Sequence, residues 1–310
     1  MTAKIWFFGT GCFAARCLEE IASKCRPQLV VTAPPSVAGR GLKTRSTPVE
    51  EVALKLELPL RQSAAVNRDA DLIRLYGSEK PELILVIDFG QKVGEPWLNG
   101  PRCGCINIHP SLLPRYRGAA PVQRTLMNGE TETGVSLFRL VEKMDAGPVW
   151  LQERRPIDPE ENAGELLERL AAAGARLFME NAASLLDGTA ALTPQDETLA
   201  TVAAKIDKSE ARLDLALGAQ KLHDLVRGLC PAPGAYVTFR GRRVKILKTR
   251  VAPHPAAGSG KLFAADGRLF LGTPQGALEL LTVQPEGKRP MEAGDWAKGL
   301  RLEKDEKLDA

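Results

Sequence analysis

The segment GCINIHPSLLPRYRGAAP, residues 104–121, is the stretch of sequence that decides the fold and the site. It predicts a strand over Cys105–Ile108, after the fully apolar run Leu83–Ile87, which is typical of a strand buried on both faces of a parallel sheet. Asn107 and His109 stand two residues apart at the end of the predicted strand, so both side chains are expected on one face. Open α/β sheets bind ligands at the carboxyl ends of their strands. The segment therefore predicts a polar ligand site.

Each of these polar residues also has a plainer interpretation. A lone histidine is more often structural than catalytic, and Asn107 by itself would more often cap a strand end. Asp145 lies in the tight turn over residues 144–147, where aspartate is a common turn residue. His109 departs from the plain interpretation because Asn107 shares its face and because prolines stiffen the loop over residues 110–121.

Outward from this segment, strand-like and helix-like pieces alternate through the first two thirds of the chain. The alternation predicts an α/β fold with a Rossmann-like, mostly parallel sheet and helices on both faces. Apolar runs predict strands, and helical spacing predicts helices, over Ile5–Phe8, Phe13–Ser23, Leu29–Ala33, Val49–Leu58, Arg68–Tyr76, Leu83–Ile87, Val135–Leu140, Val149–Glu153 and Glu165–Leu186.

The pattern changes after about residue 205. One helical period, Ala216–Leu229, carries His223, which is expected to be solvated, and short alternating runs follow at regular spacing. These runs predict a small C-terminal β-barrel of OB-like type. We therefore divide the chain into a catalytic domain with its linker over residues 1–205 and a basic β-barrel domain over residues 206–310. The last residues, 303–310, are expected to fray.

Composition excludes several classes of protein. The chain has 310 residues, of which 44% are hydrophobic and 26% charged, a globular rather than a disordered mixture. No apolar run approaches the ~18 residues of a membrane span, so no membrane partner is expected. The six cysteines form no C-x-x-C pair, and no histidine stands at ligand spacing from them. This favours a reducing, cytoplasmic location and no metal site.

The first predicted strand is followed by Gly9-Thr-Gly11-Cys-Phe-Ala14, a loose form of the dinucleotide fingerprint. That fingerprint also requires an Asp or Glu at the end of the second strand to hold the ribose. The second strand here ends at Val31-Thr-Ala-Pro-Pro35 and offers no acid. A tight turn built from small residues is therefore favoured over nicotinamide binding.

The segment around Asn107 and His109 resembles the folate-dependent formyltransferases. That family has Asn-x-His, a loop with Ser-Leu-Leu-Pro and Arg-Gly-Ala-x-Pro, and an Asp farther along the chain. The resemblance is closer to the branch that acts on initiator tRNA, and it runs from about Ile5 to Val283. The matching pieces are Asn107, His109, Ser111–Pro114, Arg117–Pro121, Asp145, Ala38–Gly41, Cys105–Asn107, Glu132–Val135, Lys208–Asp214 and Leu280–Lys288.

The resemblance implies that a formyl group moves from 10-formyltetrahydrofolate to an amine, with no metal ion. Asn107, His109 and Asp145 are then the catalytic residues. The Asn107 amide and a His109 N–H can donate hydrogen bonds to the carbonyl oxygen as it gains charge, each worth ~3–4 kcal/mol. Asp145 can orient His109 and help remove the amine proton.

The resemblance also implies where the folate donor binds. Ser111, Leu112, Leu113 and Pro114 would form its site, with backbone groups that bind the pteridine and apolar side chains that pack on it. This chain departs from its family at Asp88-Phe89-Gly90, where most members have Ala-Tyr-Gly or Ala-Phe-Gly. Asp88 would either contact the pterin or face solvent.

The distribution of charge bears on the formyl acceptor, which in this family is a glycinamide ribonucleotide, an amino sugar nucleotide or initiator methionyl-tRNA. Residues 1–205 hold 24 Lys and Arg against 25 Asp and Glu, and residues 206–310 hold 18 against 13, so the net charges are −1 and +5. No acid stands between Asp224 and Asp266. A basic surface suits a polyphosphate backbone, which favours tRNA; the plainer interpretation is a solvated basic face. The candidate tRNA-binding residues of this stretch are Arg240, Arg242, Arg243, Lys245 and Lys248.

A second basic stretch, Ala38–Ser46, contains Arg40, Lys43, Arg45 and no acid. By itself it is typical of a mobile surface loop. By resemblance it enters the acceptor end of the tRNA and orders on binding.

Three functions are therefore carried forward. The favoured one is formylation of initiator methionyl-tRNA by a monomeric cytoplasmic enzyme. The second is a transformylase that uses the same donor and a small-molecule amine. The third is a non-catalytic RNA-binding protein, which the set of Asn107, His109 and Asp145 disfavours.

Overall fold

The computed structural model describes residues 3–38, 43–253, 258–300, 302 and 306–309. Its helices and strands follow in the order β1 Ile5–Gly9, α1 Cys12–Ala22, β2 Leu29–Thr32, β3 Ser36–Ala38, β4 Lys43–Arg45, α2 Pro48–Lys55, β5 Leu60–Gln62, α3 Ala70–Glu79, β6 Leu83–Ile87, β7 Cys105–His109, α4 Pro121–Met127, β8 Glu132–Arg139, β9 Val149–Pro156, α5 Ala163–Leu186, α6 Ala219–Leu229, β10 Tyr236–Phe239, β11 Arg242–Ala252, β12 Leu262–Ala265, β13 Arg268–Gly272, β14 Ala277–Pro285, β15 Met291–Glu292 and α7 Ala293–Leu300. Short 3₁₀ helices lie at Val66–Arg68, Glu197–Leu199 and Lys208–Ala211.

The predicted α/β fold is confirmed by a seven-stranded sheet in the order β5-β2-β1-β6-β7-β8-β9. The pairs β2–β5, β1–β2, β1–β6 and β6–β7 are parallel, whereas β8 runs antiparallel to β7. The carboxyl ends of β1, β6 and β7 therefore lie side by side at one edge of the sheet. This edge carries Asn107 and His109.

Apolar side chains cover both faces of this sheet. Trp6, Phe8, Ile84 and Val86 point to one face and pack with residues of α3 in a single buried cluster. On the other face, Gly174 of α5 approaches Ile108 so closely that a Cβ would stand 2.4 Å from its Cγ2. The alternation along β7 thus turns Ile108 toward α5 and leaves Asn107 and His109 on the opposite face.

The predicted C-terminal β structure is also confirmed. It is a six-stranded sheet in the order β10-β11-β14-β13-β12, with β15 on β14, and its apolar side chains form one buried cluster with those of α6. Residues 306–309 lie between the two edge strands: Asp309 N donates to Thr238 O at 2.9 Å, and Leu262 N donates to Glu306 O at 2.9 Å. The expected fraying is therefore wrong for this segment, because its backbone hydrogen bonds join β10 to β12 and close the sheet.

The chain divides into two compact units. The first contains Met1–Gly118, Thr133–Arg155 and Leu167–Val202, and the second contains Ala119–Glu132, Pro156–Leu166 and Ala203–Ala310. The functional division at residue 205, catalytic before and tRNA-binding after, stays a prediction. Within the part of the chain that the structure describes, no helix combines the length and apolar character that a membrane crossing requires.

His223 differs from its expected solvated state. It is 4% exposed and lies 3.0 Å from both the Thr249 hydroxyl and the Pro159 carbonyl oxygen. Since a carbonyl only accepts, Nε2 carries a proton here. The amphipathic period predicted the helix but not which polar residues of the helix turn inward.

Candidate active site

The side-chain amide of Asn107, at the end of β7, has a hydrogen-bond partner for its nitrogen but not for its oxygen among the described residues. Its Nδ2 donates to the Val86 carbonyl of the neighbouring strand β6 at 2.7 Å. Its Oδ1 is buried and has no hydrogen-bond partner among the residues that the structure describes. A buried acceptor without a partner costs ~1–3 kcal/mol, so this oxygen is suited to accept a hydrogen bond from a ligand.

The imidazole of His109 is buried, with the ring of Phe138 at 6.3 Å and almost perpendicular to it. Its Nε2 lies 3.0 Å from the carbonyl oxygen of Tyr116, so Nε2 carries a proton and donates. The other ring nitrogen, Nδ1, lies 3.9 Å from Asp145 Oδ2. That distance is too long for a hydrogen bond but brings the carboxylate close enough to attract an imidazolium.

Asp145 lies in the turn between β8 and β9, as predicted, and its backbone is left-handed, with φ +49°. Its Oδ2 accepts a hydrogen bond from the backbone N–H of Gly118 at 2.8 Å. Gly147 lies so close to the Arg139 carbonyl that a Cβ would stand 1.8 Å from that oxygen. The turn can therefore pack here only with glycine at this position. The structure thus brings Asp145 to His109 from a distant part of the chain.

The Ser111–Pro114 loop is tied to β8 and β9. Ser136 Oγ donates to Ser111 O at 2.6 Å and accepts from Leu113 N at 3.0 Å, while Gln152 Nε2 donates to Leu113 O at 2.8 Å. Backbone groups that were expected to bind the pteridine thus have protein partners. Ser111 and Leu113 are buried, whereas Leu112 and Pro114 are half-exposed.

Leu113 and Pro114 also line a surface cavity of about 310 Å³ beside β9. Its polar lining comes from Gln152, Thr193, Gln195 and Asp196. Asn107, His109 and Asp145 are absent from its lining. The cavity therefore borders the predicted donor loop, but the predicted catalytic side chains do not line it.

The carboxyl of Asp88 is bound by the backbone at the start of α1. This carboxyl accepts backbone hydrogen bonds from Phe13 and Ala14, and a Cβ on Gly11 would stand 1.9 Å from its Oδ2. Desolvation raises the pKa of Asp88 to about 6, against the lowering effect of those two N–H groups. The residue is exposed, so we expect solvent to reduce this shift. The predicted tight turn after β1 is thus capped by the carboxyl of Asp88, the residue that follows β6.

Residues 193–202, which we call the strap, were not singled out by the sequence. The strap pairs with β9, where Thr193 N donates to Val149 O at 2.8 Å, and with the loop after β7, where Arg117 N donates to Thr201 O at 2.9 Å. Its Gln195 and Glu197 side chains bind Arg117. No periodic pattern marks this segment, and its partners are distant in sequence, so only the tertiary structure identifies them.

The candidate tRNA-binding cations of the C-terminal unit differ in what they contact. The Arg240 guanidinium binds both carboxylate oxygens of Glu306 at 2.6 and 2.8 Å. Arg243 stacks 3.9 Å above the Tyr236 ring, and Lys245 Nζ donates to Pro233 O at 2.9 Å. Arg242 and Lys248 are exposed. The acid-free stretch of sequence is thus partly neutralised by carboxylates from elsewhere in the fold.

Of the other basic stretch, Arg40 lies outside the described residues. Lys43 and Arg45 lie in β4, which pairs antiparallel with β3 and places Arg45 opposite Ser36. Arg45 is exposed. The flanks of the expected mobile loop thus form a two-stranded ribbon.

Among the described residues, no three His, Cys, Asp or Glu side chains gather into a group that could hold a metal ion. All six cysteines are free, and burial raises the pKa of the Cys105 thiol to about 12.

Comparison with known proteins gives the same family over both parts of the chain. A sequence profile described as formyl transferase matches residues 3–182, and one described as the C-terminal domain of formyl transferase matches residues 205–301. The methionyl-tRNA formyltransferase of Methylobacterium nodulans is 42% identical over 308 residues, which is 98% of each chain. That of Thermus thermophilus is 41% identical over 299 residues, or 96% of each chain.

Solved structures share the fold at low identity. WlaRD, a sugar 3N-formyl transferase solved with dTDP and 5-N-formyl-THF, has a TM-score of 0.66 and 18% identity, over 93% of this chain and all of that one. HypX from Aquifex aeolicus, in complex with tetrahydrofolic acid, has a TM-score of 0.65 and 18% identity, over all of this chain and 51% of its own.

Proposed function

The chain belongs to the formyl transferase family, and we propose that it transfers the formyl group of 10-formyltetrahydrofolate to the α-amino group of methionyl-initiator tRNA. Relatives named as methionyl-tRNA formyltransferases match it from end to end at about 40% identity. Such full-length similarity supports the same acceptor as well as the same donor.

The single structural observation that carries this proposal is the group of polar side chains at the end of β7. The buried Oδ1 of Asn107, which has no hydrogen-bond partner among the described residues, is suited to accept from the attacking amine. The second N–H of the same amide can donate to the formyl oxygen. His109 holds Tyr116 O with Nε2, so its Nδ1 is the ring nitrogen left for the reaction.

The chemistry follows from these groups. The neutral amine attacks the formyl carbon, a C–N bond forms, and the carbonyl electrons move onto oxygen. A protonated Nδ1 of His109 and the Asn107 amide stabilise that oxygen. The amine loses its proton, with Asp145 as the nearby base. The bond from carbon to N10 then breaks, and N10 takes up a proton.

The donor and the tRNA use the remaining predicted residues. Since the backbone of Ser111 and Leu113 is bound within the protein, we assign donor contact mainly to the half-exposed Leu112 and Pro114. On the C-terminal unit, Arg242, Arg243 and Lys248 are exposed cations that can bind phosphates. Arg40, Lys43 and Arg45 complete the proposed tRNA contacts.

A second acceptor class is a small amine such as an amino sugar nucleotide. The shared fold with sugar formyl transferases favours keeping this alternative. The net charge of residues 206–310 argues against it, because a small amine does not need a basic domain.

The decisive experiment supplies 10-formyltetrahydrofolate with methionyl-initiator tRNA or with a set of small amines, and measures formyl incorporation. We expect transfer to the tRNA and a far lower rate with small amines. Transfer to an amino sugar nucleotide but not to tRNA would overturn the assignment of acceptor. No transfer to any amine would overturn the enzyme assignment.

A further inference from the structure

The strap binds the Asp145 turn through the side-chain amide of Gln195, whose donors and acceptor all have partners. Gln195 Nε2 donates to the carbonyl oxygens of Asp145 at 2.8 Å and Gly147 at 2.7 Å. Its Oε1 accepts from Arg117 Nε at 3.1 Å and Nη2 at 2.8 Å. An amide has two donor hydrogens and two acceptor sites, so all four are used. The reverse orientation would place its oxygen against two carbonyl oxygens, and the contacts therefore define the amide's direction.

The Asp145 turn needs such a contact. A non-glycine residue with left-handed backbone, such as Asp145 with φ +49°, is disfavoured and persists when the surrounding structure holds it. On one side, Gly147 packs against the Arg139 carbonyl. On the other side, Gln195 binds the carbonyls of the turn. The turn is thus fixed between β8 and the strap.

The same amide fixes the loop that faces the Asp145 carboxylate. Arg117 is buried, and besides Gln195 it binds both oxygens of Glu197 at 2.8 and 3.1 Å. Glu197 also accepts from Lys143 Nζ at 2.6 Å. These two cations hold the pKa of Glu197 down at about 2, so it stays ionised. The next residue, Gly118, donates its N–H to Asp145 Oδ2.

These contacts form a closed ring: Gln195 joins Arg117 to the backbone of the turn, and Gly118 joins the same loop to the carboxylate of the turn. We propose that Gln195 is a positioning residue for the reaction, which sets the Asp145 carboxylate at its 3.9 Å separation from His109 Nδ1. This inference rests on the proposed function, in which Asp145 and His109 act on the substrates. Gln195 binds Asp145 only at its backbone carbonyl, and its described hydrogen bonds do not include His109.

The test is Gln195→Glu, which has the same shape. It keeps an acceptor for Arg117 but loses both donors to the turn and sets a negative charge against two carbonyl oxygens. Because a misplacement of about 1 Å can cost on the order of 100-fold, we expect kcat to fall about 10- to 100-fold. The KM values for donor and tRNA should stay within about twofold, since the hydrogen-bonding positions of the amide are all used within the protein.

Two further variants serve as controls. Thr198→Ala changes an exposed strap residue whose hydroxyl binds only Asp196 among the contacts described, and should leave kcat unchanged. If Gln195→Glu does not fold, Gln195→Met, of similar length and uncharged, tests the same loss of hydrogen bonds and should show the same fall in kcat.

A spectroscopic measurement separates positioning from a merely structural role. The chain has only three histidines, so the ring signals of His109 can be assigned by NMR. At fixed pH, Gln195→Glu should shift the His109 ring signals, and Thr198→Ala should not. A structural role alone would lower the unfolding temperature but leave both kcat per folded molecule and these signals unchanged.

The outcomes distinguish the two proposals. A wild-type kcat and unshifted His109 signals in the folded Gln195 variants would overturn the positioning role, and so would a rise in donor KM at unchanged kcat. If the wild-type protein transfers no formyl group to any amine, the proposed function fails instead. In that case the His109 signals still decide whether Gln195 positions Asp145.

Discussion

The site at the end of β7 and the charged face of the C-terminal unit, formed by Arg240, Arg242 and Lys248, hold their functional side chains in different ways. Around Asp145, the carboxylate, the backbone of the turn and the facing loop are each bound by defined partners. On the charged face, Arg242 and Lys248 are exposed, whereas Arg240 is held by the carboxylate of Glu306. Chemistry at one carbon atom requires fixed geometry, whereas attraction of a phosphate backbone mainly requires charge at the surface.

The largest expected effect is a loss of kcat on substitution of the tightly held residues at the end of β7. His109→Ala should lower kcat about 10²–10³-fold, because it removes a preorganised donor to the developing negative charge. Single-turnover formyl transfer to methionyl-initiator tRNA measures it. Asn107→Ala and Asp145→Ala should show losses of similar size. A near-normal rate in any folded variant would remove that residue from the catalytic set.

The next largest expected effect is a loss of stability when the closure of the C-terminal sheet by residues 306–309 is weakened. Leu308, beside the backbone pairing of residues 306–309, is buried in the core cluster of the unit. Leu308→Ala should therefore lower the free energy of unfolding by about 2–4 kcal/mol, measured by urea denaturation. Leu54→Ala, at a leucine that is 61% exposed, is the matched control. Equal stabilities of the two variants would show that this segment does not hold the sheet closed.

The charged face should respond to salt rather than to geometry. Replacing both Arg242 and Lys248 by Ala should weaken tRNA binding and make the slope of log K against log salt less negative by about 1 for each lost phosphate contact. Arg240→Ala should change that slope little, because Glu306 already neutralises this cation. Filter binding over a range of salt concentrations provides the measurement. Equal slope changes for the two variants would contradict the distinction between exposed and paired cations.

The smallest expected effects are on pH dependence, and they have opposite signs for two carboxyls. The raised pKa of Asp88, from 3.8 to about 6, means that the native state holds the extra proton between these values, so stability falls as pH rises through that window. The lowered pKa of Glu197, from 4.5 to about 2, means the reverse, so stability is lost as pH falls from 4.5 to 2. Unfolding free energies at several pH values test both.

Two substitutions test whether Asp88 and Glu197 cause these changes of stability with pH. Asp88→Asn should flatten the profile between pH 4 and 6, and Glu197→Gln should flatten it below pH 4.5. Both effects should be small, because both residues are exposed. An unchanged slope in either variant would mean that the carboxyl in question does not cause it.

Local pattern was sufficient for most of the fold. The apolar run Leu83–Ile87 gave a buried strand with the predicted bounds, because period and composition act over a few residues. The helix α4, Pro121–Met127, was missed because it is short and directly follows a proline-rich loop. Its proline stands in the first turn, where the missing N–H costs nothing.

The sequence by itself predicted most of the longer strands and helices, the family, and the three residues proposed for catalysis. Asn107 and His109 could be joined from their spacing, since two residues on one strand share a face. Only the tertiary structure decided what holds them. Gln195 is 50 residues from Asp145, and Glu306 is 66 residues from Arg240. Such contacts depend on the path of the whole chain, and no local period encodes them.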